Sequence, residues 1–367
     1  MILGGYGGKI LRVDLSSQKT RVEPLSKDMA INYLGGTGFA SKILWEEFPG
    51  GADPLSPENI LVVAVGPTTG TLFHASGRFI MAAKSPLTEG WGEAHAGGFF
   101  GPELKYAGYD AIIITGRSPK PVYLYIEDDH VELRDASHLW GQNTRETTLK
   151  IREELGNELL KVVCIGPAGE NLVRYACVIS DFYRAAGRTG IGAVMGSKNL
   201  KAIAVRGTKG VKLADPDKFF EVFNEMFSLI RVKWGEDVES SLGKYGTPCL
   251  VEIESAIGRL PTKNHYDGVY KDADKISGET VKEHYRVKRE SCYGCFIQCK
   301  YISRVKTGKY AGTFSGGPEY ETIMAFGSNC LNSDIESILH VNMLCNLYGI
   351  DTISCGCTIA FAMECYE

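Results

Sequence analysis

Residues 207–230, GTKGVKLADPDKFFEVFNEMFSLI, mark where the chain changes character. Before them, short β-branched or alternating runs are broken by glycine. After them, apolar residues recur at helical spacing. Asp215-Pro216 reads as an N-cap followed by a first-turn proline, and Phe220, Phe223, Phe227 and Ile230 repeat on one helix face. That aromatic stripe is expected to be core rather than a cofactor site. The change of period places a boundary at about 208–214, between a sheet-rich domain over 1–210 and a mainly helical domain over 211–367. The fold class is therefore α+β.

Working outward, Lys9–Asp14, Ile60–Val65, Ala111–Thr115, Val122–Ile126 and Val131–Arg134 read as strands, the last two forming a hairpin across Asp128-Asp129. Leu172–Ser180 is also strand-like. One helix stands among them: Asn143 with Glu146 makes a capping box, Thr148, Ile151 and Leu155 share a face, and Gly156 supplies the stop. Toward the end, Ser333 and Glu336 cap a helix that closes at Gly349, and Asp351 opens another running to Glu367. That last helix shows no stop signal, which leads us to expect a following domain absent from this sequence.

Composition excludes several classes. With 40 basic against 44 acidic residues and a net charge of -4, there is no basic field for nucleic acid. No stretch approaches the roughly 20 apolar residues that span a bilayer, so no membrane role is expected. The start, MILGGYGGKILRVDL, lacks the pattern of a signal peptide, which points to the cytoplasm. Eleven cysteines in that reducing compartment argue for metal or cluster chemistry rather than disulfides. Cys164, Cys177, Cys249 and Cys330 read more simply as buried small hydrophobes.

Four constellations carry candidate chemistry. In ESCYGCFIQCK (290–300), Cys292, Cys295 and Cys299 give the spacing by which a short loop offers three thiolates to three corners of a cubane iron–sulfur cluster. Zinc and a metal-free loop remain alternatives, although no second cysteine pair follows at zinc-finger distance. The segment 183–196, YRAAGRTGIGAVMG, follows a strand-like run and leads into a helix, so its amides with Arg184 and Arg188 suit a phosphate; the alternative is a glycine-rich packing turn. Within 91–101, WGEAHAGGFFG, small residues permit close approach of a ligand, and His95 is a candidate ligand or base, though loop histidines are more often structural. Glu319 and Glu321 in GPEYE (317–321) are candidate acid/base carboxylates, or simply an exposed acidic pair.

In order, GPTTGT, SGRF, SPLT, GGFFGPELKYAGYDAI, KPVYLYI, RDASHLWG, IGPAGEN, RAAGRTGIGAVMGSKNLKAIAV, CYGCFIQC, GPEYE and YGIDTIS resemble the aldehyde:ferredoxin oxidoreductase family, tungsten or molybdenum pterin enzymes of anaerobes. The resemblance covers essentially the whole sequence. It implies a sheet-rich base domain carrying a tungsten (or molybdenum) bis-pterin, and helical domains closing over it. By the same resemblance, Arg78, His95, Gly97, Arg184, Ala185 and Gly187 contact the cofactor, with His95 and Ala185 offering backbone oxygens to a magnesium ion. His95 stands where the family has asparagine. Asn346, Ile350 and Asp351 match the family's pterin motif, Asn346 replacing an aspartate. Cys292, Cys295 and Cys299 match three ligands of a [4Fe-4S] cluster, the fourth lying in the family's third domain, which this sequence lacks. Cys330, Cys345, Cys355, Cys357 or Cys365 would need a rearrangement to replace it. Glu321 matches a carboxylate near the metal and would act as base, its pKa raised by burial. The family's intersubunit iron motif reads HVNM at 340–343, so no such iron is expected. The implied activity is oxidation of a small aldehyde to a carboxylic acid with electrons passed to ferredoxin, in a homodimer or a subunit of a larger complex. Rival readings are a family member that reduces an activated acid or aromatic thioester, an iron–sulfur electron-transfer subunit, and a non-catalytic remnant.

Overall fold

The computed structural model describes residues 4–233 and 241–367, which form two compact units. The first runs to Glu225 and takes in 292–294 and 347–350; the second comprises the rest.

The first unit is built on two six-stranded mixed sheets. Its strands are β1 (Lys9–Asp14), β2 (Lys19–Pro24), β3 (Leu61–Val65), β4 (Phe79–Lys84), β5 (Trp91–Ala96), β6 (Tyr109–Thr115), β7 (Val122–Glu127), β8 (His130–Asp135), β9 (Lys161–Cys164), β10 (Val178–Ser180), β11 (Arg184–Ala186) and β12 (Leu200–Arg206). One sheet has the order β2-β1-β6-β3-β4-β5 and the other β11-β10-β9-β12-β7-β8. The pairs β1/β6 and β7/β12 are parallel; the other pairs are antiparallel.

Residue type dictates these positions. The apolar runs LVVAV in β3 and AIII in β6 are buried on both faces, as central strands must be, while KTRVEP in β2 is largely exposed at an edge. Alternate residues then sort into layers. Leu61, Val63, Ile112 and Ile114 meet Leu124, Ile126, Ile203 and Val205 of the other sheet. On the reverse of the first sheet, Val62, Ala64 and Ile113 pack under Phe39, Ala40 and Ile43 of the helix Thr37–Glu47. On the reverse of the second, Tyr123, Val162 and Ala204 pack under Ile151 of the helix Thr144–Glu154. The result is a helix–sheet–sheet–helix stack. One buried polar tie fastens the first strand to it. Lys105 Nζ donates to Gly5 O (2.9 Å) and to Asp110, whose carboxylate accepts from the amides of Gly7 (3.0 Å) and Gly8 (2.6 Å). Burial pulls the Lys105 pKa down, and Asp110 opposes that pull.

The expected hairpin and capping box are present: Asp128 turns the chain at φ +51° between β7 and β8, and Asn143 and Glu146 exchange side-chain and backbone hydrogen bonds. Several expectations need correction. Leu172–Ser180 is not one strand, because Leu172 sits at φ +57° and only Val178–Ser180 pairs. The helix Pro216–Lys233 forms, with Asp215 Oδ1 accepting from the Lys218 amide, but Phe220 is 45% and Phe227 36% exposed, so the stripe is not core. Periodicity marks a face without naming what covers it. Of the four cysteines read as buried, Cys164 and Cys177 are, whereas Cys249 and Cys330 are half-buried.

The second unit is mainly helical, with Leu250–Ala256, Gly278–His284, Tyr320–Phe326, most of Ile335–Tyr348, and Thr352–Tyr366. A small sheet accompanies them, β13 (Arg286–Glu290), β14 (Lys300–Arg304) and β15 (Phe314–Gly316), in that order. Gly356 lets Thr352–Tyr366 approach Tyr320–Phe326, since a Cβ there would lie 2.7 Å from Ala325. Asp334, rather than Ser333, caps the helix beginning at Ile335: its Oδ1 accepts from the amides of Glu336 (3.1 Å) and Ser337 (3.3 Å). Among the described residues no helix is long and apolar enough to cross a membrane.

Candidate cofactor site

In the first unit the antiparallel β4/β5 pair sets Phe79 opposite Ala96 and Ile80 opposite His95, so Arg78 and Gly97 fall together at one end. β5 is the edge of its sheet and β11 the edge of the other, and the two edges lie against one another. Arg78, His95, Gly97, Arg184, Ala185 and Gly187 therefore gather along this junction. The turn into β11 holds Asp181 and Phe182 at φ +45° and +78°, conformations costly for such residues. The guanidinium groups of Arg145 and Arg152 sit over the Phe182 ring at 5.1 and 5.2 Å and help hold it there. Asp181 is itself bonded by Arg152 Nη2 at 3.0 Å; burial pushes its pKa up, against the pull of Lys161 and Arg152.

The chemistry of this junction suits an anionic, phosphate-bearing group. Arg78, His95, Ala185 and Arg188 are exposed, and a Cβ on Gly187 would meet nothing nearer than 3.9 Å. His95 directs Nε2 to Glu93, which Thr37 and Trp91 also bond. Its imidazole is thus engaged through Nε2 while the ring stays exposed. Edge strands leave half of their backbone groups outside the ladder, so carbonyls of β5 and β11 suit a hard cation such as magnesium.

Cys292 belongs to this same unit. Its Sγ accepts from Arg184 Nη1 at 2.9 Å and rests on Gly97, where a Cβ would lie 2.7 Å from the sulfur. Next to it, the Tyr293 amide donates to Gly98 O (3.2 Å) and the Tyr293 hydroxyl meets that of Tyr106 (2.7 Å). Cys295 and Cys299 belong to the second unit. There Arg289 of β13 donates to Gln298 O and Ile297 O, each at 3.0 Å, bracing the backbone just before Cys299. Among the described residues no three His, Cys, Asp or Glu side chains are arranged as a metal-holding group.

The remaining expected residues are distributed differently. Ile350 pairs with Ala176 in the first unit. Asn346, in the second, donates to Ser315 Oγ (3.2 Å) and Asn342 O (2.9 Å). Asp351 is an N-cap, its two oxygens accepting from the amides of Ile353 and Ser354, each at 3.2 Å. Glu321 lies exposed in the first turn of Tyr320–Phe326, so the burial expected of it is absent. Cys355, weighed in the sequence only as a remote substitute for the fourth cluster ligand, lies four residues past Asp351 and has its pKa lowered to about 7, chiefly by a hydrogen bond with Cys345.

Comparison with known proteins gives concordant results. The family model "Aldehyde ferredoxin oxidoreductase, N-terminal domain" matches residues 10–207, and "Aldehyde ferredoxin oxidoreductase, domains 2 & 3" matches 228–367. The chain is 47% identical over 364 residues to a tungsten-containing aldehyde ferredoxin oxidoreductase of Pyrococcus furiosus, and 46% identical to that of Thermococcus kodakarensis. Each alignment covers 99% of this chain and 59% of the relative, so the chain spans about three-fifths of the length of these relatives. Among solved structures it resembles the active site complex BamBC of benzoyl coenzyme A reductase in complex with 1,5-dienoyl-CoA, at 33% identity and a TM-score of 0.88, covering 99% of this chain and 56% of that one.

Proposed function

Because this chain belongs to the aldehyde ferredoxin oxidoreductase family, we propose that it serves the oxidation of a small aldehyde to a carboxylic acid, water supplying the oxygen atom and two electrons leaving singly to ferredoxin. The observation that carries this reading is the junction of β5 and β11, where Arg78, Gly97 and Arg184–Ala186 gather beside Cys292. A tungsten or molybdenum bis-pterin bound there would supply the two-electron redox chemistry. Arg78, Arg184 and the Gly187 backbone would hold its phosphates, and the carbonyls of His95 and Ala185 would offer oxygens to a magnesium ion. Ile350 and Asp351 would position the pterin, with Asn346 offering an amide in place of a charge. Cys292, Cys295 and Cys299 would supply thiolates to a [4Fe-4S] cluster. Each turnover consumes one water and releases two protons and two electrons; the Glu321 carboxylate would take the proton lost as water adds to the aldehyde. A cytoplasmic setting belongs to the same reading.

The test is expression of the complete gene under anaerobic conditions with tungstate or molybdate, followed by metal analysis and aldehyde-dependent reduction of viologen or ferredoxin. Metal and pterin present without turnover on any aldehyde would sink the proposal. The likeness to the benzoyl coenzyme A reductase complex supports a second reading, a subunit of a larger assembly that reduces a thioester. Co-purification of partner subunits and acyl-CoA-dependent oxidation of reduced viologen would favour it.

A further inference from the structure

Arg184 does more than the sequence asks of it. In the family reading it is a cofactor contact; in the structure its guanidinium Nη1 donates to Cys292 Sγ at 2.9 Å. Both residues belong to the first unit, and both are held from several sides. Arg184 is fixed at the start of β11 by its pairing with Ser180. The neighbours of Cys292 are locked in turn: the Tyr293 amide to Gly98 O, the Tyr293 hydroxyl to Tyr106, and Gly294 O to the Ala75 amide at 3.1 Å. The contact itself rests on two adjacent glycines. A Cβ on Gly97 would lie 2.7 Å from the Cys292 sulfur, and one on Gly98, whose φ is +108°, would lie 2.7 Å from Arg184 Cδ and 3.3 Å from Nε. This floor admits a sulfur and a guanidinium side by side and leaves no room for a methyl group beneath either.

We propose that Arg184 sets the reduction potential of the iron–sulfur cluster ligated by Cys292, through a charge-assisted hydrogen bond to that ligand's sulfur. The inference rests on the cluster assigned under the proposed function. Reduction adds one electron, and the added negative charge falls in part on the sulfurs. A cationic donor stabilises that state more than the oxidised one and raises the potential. In a half-buried site this exceeds what the same charge would do in open solvent.

The experiment is a redox titration of the anaerobically loaded full-length protein, followed by electron paramagnetic resonance, in wild type and in Arg184→Gln, Arg184→Lys and Gly98→Ala, with iron and tungsten contents measured alongside. Arg184→Gln is expected to disfavour reduction roughly tenfold, a midpoint about 59 mV lower for a one-electron couple. Arg184→Lys keeps the charge without the planar donor and is expected in between. Gly98→Ala is expected to shift the midpoint in the same direction as Arg184→Gln although the arginine remains. A cluster present in these variants with the wild-type midpoint overturns the inference and leaves the proposed function standing. Loss of the cluster from all three overturns it in favour of a purely structural role. A wild type without a cluster overturns both.

Discussion

At the scale of single residues, the lone carboxylate on an exposed helix turn invites the most direct test. If Glu321 is the base, Glu321→Gln should lower turnover by about 10²–10⁴-fold while iron and tungsten contents stay unchanged; metal loss would make its role structural instead. Cys355 offers a pH-dependent prediction. With its pKa lowered to about 7, its thiolate accumulates as pH rises, so alkylation followed by peptide mass spectrometry should accelerate between pH 6 and 8 and then level off. Cys345→Ala removes the stabilising hydrogen bond and should move that midpoint upward, toward the ordinary thiol value of 9.0. A midpoint unmoved by this change would rule out the Cys345 hydrogen bond as its cause. The thiol spacing at 292–299 and the arginine–glycine run at 184–187 were both legible in the sequence because each is local. Their meeting was not, since Arg184 and Cys292 are 108 positions apart and only the folded edges of two sheets bring them together.

The elements show the same division. The β7/β8 hairpin, the Asn143 capping box and the helix opened by Asp351 were readable because turn and cap chemistry lies within a few residues. The order of strands within each sheet was not, because pairing partners such as β1 and β6 are remote in sequence. Nor was the fate of the Pro216–Lys233 aromatics, which depends on what the rest of the chain lays over them. Asp351 connects element to function, for a carboxylate expected on a cofactor is committed to the first turn of Thr352–Tyr366. Asp351→Ala should therefore lower the unfolding free energy by roughly 1–2 kcal/mol even in protein without cofactor, measured by denaturant titration. A variant as stable as wild type would free that side chain for the ligand role alone.

At the scale of the whole molecule, a ligand seated on the rigid stack of two sheets should stabilise the state that binds it. Protein prepared with tungstate is expected to melt several degrees above protein prepared without it, as followed by calorimetry, and identical melting would argue that nothing binds. The stack also carries a consequence for biosynthesis. β1 lies inside its sheet, and its inner neighbour β6 begins about 100 residues later; the Lys105–Asp110 clasp on Gly7 and Gly8 is equally late. At about 5–20 residues per second, a ribosome needs roughly 5–20 s to deliver that partner. For that interval the nascent chain carries β1 paired on one side only, open to pairing with another copy. Crowded expression should therefore favour misassembly of the first sheet, and slowed initiation or added holdase chaperone should raise the soluble yield.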